Sequence, residues 1–140
     1  MDNKYIEDNL CEKLNSFMSE LTKIFVNDDD RLVYLKNLQK NNENFGLKNN
    51  LYKFYESLQN EDLFNLFLRS KIKLFSAKTE ETNKISESLF GPELSLKIIF
   101  NNRSKEVKNN LWRYLHLFYL LIESNLDNKS EENIRKLTKL

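Results

Sequence analysis

The sequence predicts an all-α protein, and three observations carry that prediction. Glycine occurs twice and proline once in 140 residues, so the left-handed turns that β-hairpins need have few places to form. Leucine contributes 24 residues, and apolar positions recur at steps of three and four over most of the chain, the period of a helix with one buried stripe. The segment from Leu111 to Ile122 is apolar almost all round at that spacing, an arrangement that needs other helices around it. We therefore expect a single domain over residues 1–140, with six to eight helices around a central apolar helix near residues 105–123. A chain of this length withdraws roughly two thirds of its unfolded surface from water, enough for one core.

In order along the chain, Tyr5, Ile6, Leu10, Leu14, Phe17, Leu21, Ile24 and Phe25 place an amphipathic helix over about residues 4–26. Asn27-Asp28-Asp29-Asp30 breaks the pattern and sets carboxylates at the start of the next helix, where capping and the helix dipole favour them. That helix carries Leu32, Leu35 and Leu38 and fades into Asn41-Asn42-Glu43-Asn44, with Gly46 available for the turn. Leu47, Leu51, Phe54, Tyr55 and Leu58 mark a third helix. Asn60 offers a cap for a fourth, which the spacing carries through Leu63, Phe64, Phe67, Leu68, Ile72 and Phe75. Ser76 or Thr79 begins a shorter acidic helix with Ile85 and Leu89 inward, and Gly91-Pro92 stops it because proline removes a donor and restricts its neighbour. Residues 93–100 read as a short helix or an apolar hinge. Ser104 caps the long central helix, and Ser130 caps a last one holding Ile134 and Leu137.

The same residues bear on function mostly by exclusion. Gly46 and Gly91 are too few for a phosphate cradle of the P-loop or dinucleotide type. His116 is the one histidine and Cys11 the one cysteine, so a zinc site of the usual kind cannot be assembled; His116 reads as a core histidine with one hydrogen bond. Carboxylates around Cys11 oppose thiolate formation, and no third group orients a cysteine–histidine pair. Asp8 with Glu12, and Glu123 with Asp127, stand at helical neighbour spacing; both pairs read as solvated faces. Asp28-Asp29-Asp30 lacks the glycine and the distant glutamate of a calcium loop. No catalytic residue, metal ligand or cofactor is expected, and the chain reads as not an enzyme.

A lone cysteine gives no internal disulfide, a charged N-terminus gives no signal peptide, and the longest apolar run is about 12 residues against the roughly 20 needed to span a bilayer. A soluble intracellular protein without a membrane span is the expectation. Net charge is +1, from 22 basic and 21 acidic residues, yet it is segregated: −5 over residues 1–30, +3 over 31–60, +4 over 69–78, −3 over 79–93 and +4 over 97–113. Two basic groups result, Arg69, Lys71, Lys73 and Lys78, then Arg103, Lys105, Lys108 and Arg113, each able to meet phosphates by charge alone. The acidic residues between them are candidates to pair with them. Ten phenylalanines, six tyrosines and one tryptophan exceed the usual need of a helical core this size, which points to Tyr52, Tyr55, Trp112 and Tyr119 as interface candidates; for Trp112 taken singly, burial at the domain centre is the leading reading.

Ile72 to Ser76, Ser88 to Asn102 and Leu111 to Leu120 resemble a pattern in uncharacterised helical proteins of large nucleocytoplasmic DNA viruses, in which a tryptophan-and-tyrosine helix closes the domain. The resemblance covers about residues 63–123, and the 20 asparagines with a single alanine suit an AT-rich genome. It implies a viral protein of the virus factory or virion and transfers no catalytic residue. The leading expectation is a protein–protein interaction module acting in structure or assembly, with nucleic-acid association through 69–78 and 103–113 as the alternative. A groove-binding death regulator of the Bcl-2 type ranks third, because Asn110-Leu111-Trp112-Arg113 lacks the glycine of that family's groove pattern.

Overall fold

A computed structural model describes residues 3–41, 46–76 and 79–139, with side chains from Asp8 onward except that of Asn41. Tyr5 and Ile6 as inward side chains, the Asn42–Asn44 loop and Lys78 lie outside the described residues and side chains. The described elements are α1 (Asn3–Ile24), α2 (Asp29–Asn41), α3 (Leu47–Ser57), α4 (Glu61–Leu68), α5 (Lys73–Ser76), α6 (Glu80–Glu87), a 3₁₀ turn (Pro92–Leu94), α7 (Leu96–Phe100), α8 (Lys105–Ser124) and α9 (Glu131–Thr138). No strand occurs among the described residues, and the fold is all-α. No helix among them is long and apolar enough to cross a membrane.

The helix starts are written in local side chains. Asp28 accepts from the Arg31 amide at 3.2 Å ahead of α2. Asn60 accepts from the Asp62 and Leu63 amides ahead of α4, Thr79 and Thr82 form a reciprocal capping box on α6, and Ser104 and Ser130 cap α8 and α9. Each satisfies amides that a helix start leaves without an intrahelical partner. Gly46 precedes α3 at φ 68°. Gly91 sits at φ 85°, and a Cβ there would stand 3.1 Å from the Tyr34 hydroxyl, which donates to the Phe90 carbonyl beside it.

Nine α-helices among the described residues exceed the expected six to eight, because the helix foreseen through Phe75 is two. The chain leaves α4 through a Schellman turn: the Lys71 amide donates to Leu66 O at 2.9 Å and the Ser70 amide to Phe67 O at 3.1 Å. Ser70 takes the left-handed conformation, φ 55°, that glycine usually supplies. The foreseen short helix or hinge over 93–100 resolves into the 3₁₀ turn and α7, where Ser86 Oγ accepts from the Lys97 amide at 3.0 Å and fastens α6 to α7.

The core is one continuous cluster with α8 at its centre. Leu111, Trp112, Leu115, Phe118, Tyr119 and Ile122 of α8 are all buried. α1 lies against one side, with Phe17 5.3 Å from the Tyr114 ring and 5.6 Å from the Phe118 ring. On the other side Phe75 of α5 stacks on Trp112 at 5.1 Å and Phe100 of α7 packs at 5.0 Å. Ring pairs at these separations add to what burial alone contributes.

Candidate functional site

The expected surface aromatics are the first correction. Tyr55 and Tyr119 are 9% and 1% exposed, and Trp112, at 5%, is buried as its leading reading had it: Tyr55 of α3 packs on Tyr119 of α8, and α4, α5 and α7 close over the same face of α8. Tyr52 is half-buried and packs against the core. The aromatic surplus is spent on packing, with Tyr55 and Tyr119 4.7 Å apart and Phe67 4.7 Å from the His116 ring. The exposed large apolar side chains among the described residues are Val26, Val33 and Ile72.

Of the acidic pair Glu123 and Asp127, only Glu123 lies on α8, and it is the second correction. Glu123 is 3% exposed rather than solvated, and the Tyr55 hydroxyl donates to its Oε2 at 2.9 Å, while Asp127 is exposed. Burial, reinforced by that carboxylate, pushes the Tyr55 phenol well above its ordinary range. Gln59 donates to the Tyr119 hydroxyl at 3.1 Å and to Tyr55 O at 3.1 Å, so the polar atoms between α3 and α8 are tied together. Glu123 stands four residues after Tyr119 and eleven after Trp112, on the buried stripe, and that spacing was the available signal. Asp8 and Glu12 are exposed, as expected.

His116 is the core histidine anticipated. Its Nε2 lies 2.7 Å from Phe67 O; a carbonyl only accepts, so Nε2 carries the proton. Burial lowers the ring's affinity for a second proton, and the carbonyl contact opposes this only in part. No cluster of three or more metal-ligating side chains occurs among the described residues.

The predicted basic residues divide into three settings. Arg69, Lys71 and Lys73 are exposed around the turn that links α4 and α5. Lys105 and Lys108 precede Trp112 by seven and four residues, hence share its stripe of α8, the stripe on which Phe75 of α5 stacks. Arg103 is held down: its Nε donates to Ile99 O at 2.9 Å, and its guanidinium lies 4.9 Å from the Phe25 ring centroid. Arg31 approaches the same ring at 5.6 Å and pairs with Asp28 at 2.6 Å. These groups line a cleft of about 390 Å³ with Asn27, Asn101 and Asn102. Among the described residues none of the predicted basic side chains forms an ion pair, so the pairing foreseen with residues 79–93 does not occur there.

Arg113 lies apart from the others, in a groove of about 200 Å³ between α1 and α8 lined by Lys13, Ser16, Asn110, Arg113, Tyr114 and Leu117. Lys13 was invisible as a site residue in the sequence. It sits in the most acidic stretch of the chain, and only the packing of α1 on α8 brings it beside Arg113. No family model, curated protein or solved structure matches this chain.

Proposed function

We propose that this protein is a non-enzymatic interaction module that docks on an acidic surface of a protein partner. The observation that carries the reading is charge left without a counter-ion: Arg69, Lys71, Lys73, Lys105, Lys108 and Arg113 meet no carboxylate at ion-pair distance among the described residues, while the large aromatics are turned inward. Complementary charge then supplies orientation and encounter rate, and the apolar side chains Val26, Val33 and Ile72 add local contact. We further propose an assembly role in a virus factory or virion, which is what the resemblance of residues 63–123 to helical proteins of large DNA viruses would imply.

Nucleic-acid association is the second reading. It is favoured by Lys105 and Lys108 continuing the Trp112 stripe toward the α5 side of the molecule, where Lys73 is exposed two residues before Phe75. Purifying the tagged protein from its native cells with and without nuclease separates the two. Protein partners that survive nuclease and are released by salt support docking on an acidic protein; loss of all bound material on nuclease treatment supports nucleic acid.

A further inference from the structure

We infer that the groove between α1 and α8 is a binding site for a phosphate monoester dianion. Besides Ser16, four residues that carry hydrogen-bond donors line it: Lys13, Asn110, Arg113 and Tyr114. None of them makes a side-chain hydrogen bond or ion pair with another described residue, whereas Ser16 Oγ is engaged with Glu12 O at 3.2 Å. Donors gathered without acceptors call for an oxyanion. No carboxylate lines the groove, and its lining carries two formal positive charges, which match a dianion. On α1 Glu12 adjoins Lys13 in sequence and Glu20 follows Ser16 by four residues, and on α8 Glu106 precedes Asn110 by four; none of them lines the groove, and Glu20 is paired with Lys23 at 3.4 Å.

The site is also held in shape. Tyr114 is fixed by its ring contacts at 5.3 Å to Phe17 and 6.4 Å to Phe118, and Leu117 offers an apolar wall for the carbon side of an ester. The cleft at Arg31 and Arg103 is a poorer candidate, since Asp28 already occupies Arg31 and lines that cleft. This inference rests on the groove's own geometry and holds whichever partner the remaining basic surface engages.

The test is an amide-resolved NMR titration of the full chain with inorganic phosphate, with O-phosphoserine, and with a single-stranded oligonucleotide lacking terminal phosphates, at ionic strength matched with sodium chloride. Phosphate and O-phosphoserine should shift the amides of Lys13, Ser16, Asn110, Arg113 and Tyr114. Lys13→Gln and Arg113→Gln should each weaken binding by about tenfold or more, the value of one charge-assisted hydrogen bond. Lys36→Gln, an exposed lysine on α2, should leave it within about twofold. Affinity should fall as pH drops through about 6, where the monoester loses its second charge. Tighter binding of O-phosphoserine than of phosphate assigns a phosphorylated side chain as the source, and equal binding assigns free phosphate; either supports the site. The inference is overturned if these amides move only as they do in sodium chloride, if Arg113→Gln, with circular dichroism unchanged, binds as the native chain does, or if only the oligonucleotide binds there.

Discussion

At the scale of single residues, the polar atoms inside this core matter most. Glu123 is a buried carboxyl group that accepts from the Tyr55 hydroxyl at 2.9 Å, with the Tyr119 hydroxyl also beside it, so Tyr55→Phe removes one of its donors. We expect a cost of about 1.5–3 kcal/mol, read as a lower urea midpoint with unchanged slope. Adding Glu123→Met should recover part of that cost, since no buried charge is then left. His116 predicts a pH dependence of definite sign. Burial lowers its affinity for a second proton in the folded state relative to the unfolded chain, where the group titrates near 6.5. Its contribution to stability is therefore complete above about pH 6.5 and is lost as the pH falls through the folded value. Urea unfolding at pH 5 and pH 7.5 should show that loss, and His116→Gln should reduce it. The single hydrogen bond of His116 was legible from its place in the most apolar helix. The burial of Glu123 was legible in principle from its spacing, but glutamate in the last turn of a helix is more often solvated, and the opposing Tyr55 is 68 residues away in sequence.

At the scale of elements, capping chemistry was the most readable layer. Asn60, Thr79, Ser104 and Ser130 stand where their helices begin, because a side-chain acceptor ahead of an apolar-periodic run is a local signal. The end of α4 was not readable, since the Schellman turn there uses serine at the position that usually announces itself as glycine. Ser70→Gly should relieve the left-handed strain at φ 55°. Offsetting the added freedom of the unfolded glycine against that relief leaves a gain of about 0.5–1 kcal/mol, seen as a higher urea midpoint. The break has a functional side as well. By stopping the helix at Leu68 it turns Arg69, Lys71 and Lys73 out around an exposed link, where a continuous helix would have spread them around its circumference.

At the scale of the whole molecule, the fold class followed from composition and period, whereas the charge distribution on the surface did not. Segregation along the chain suggested two basic groups separated by an acidic stretch that was a candidate to pair with them. The fold instead leaves the described basic side chains of both groups without ion pairs, clips Arg103 onto Phe25, and sets Arg113 beside Lys13 from the acidic N-terminal helix. Aromatic content misled for a related reason: a count of rings says nothing about which helices cover them, and α3, α4, α5 and α7 cover the Trp112 and Tyr119 side of α8, with Tyr55 of α3 turned into that contact. We propose that the uncompensated cations engage an acidic protein partner. The most direct test compares the native chain with the Lys73→Glu, Lys105→Glu, Lys108→Glu triple variant in nuclease-treated purification from native cells, Arg103 being left intact because it packs on Phe25. Protein partners held by the native chain should be lost from a triple variant whose circular dichroism is unchanged; partners retained equally by both would overturn the proposal.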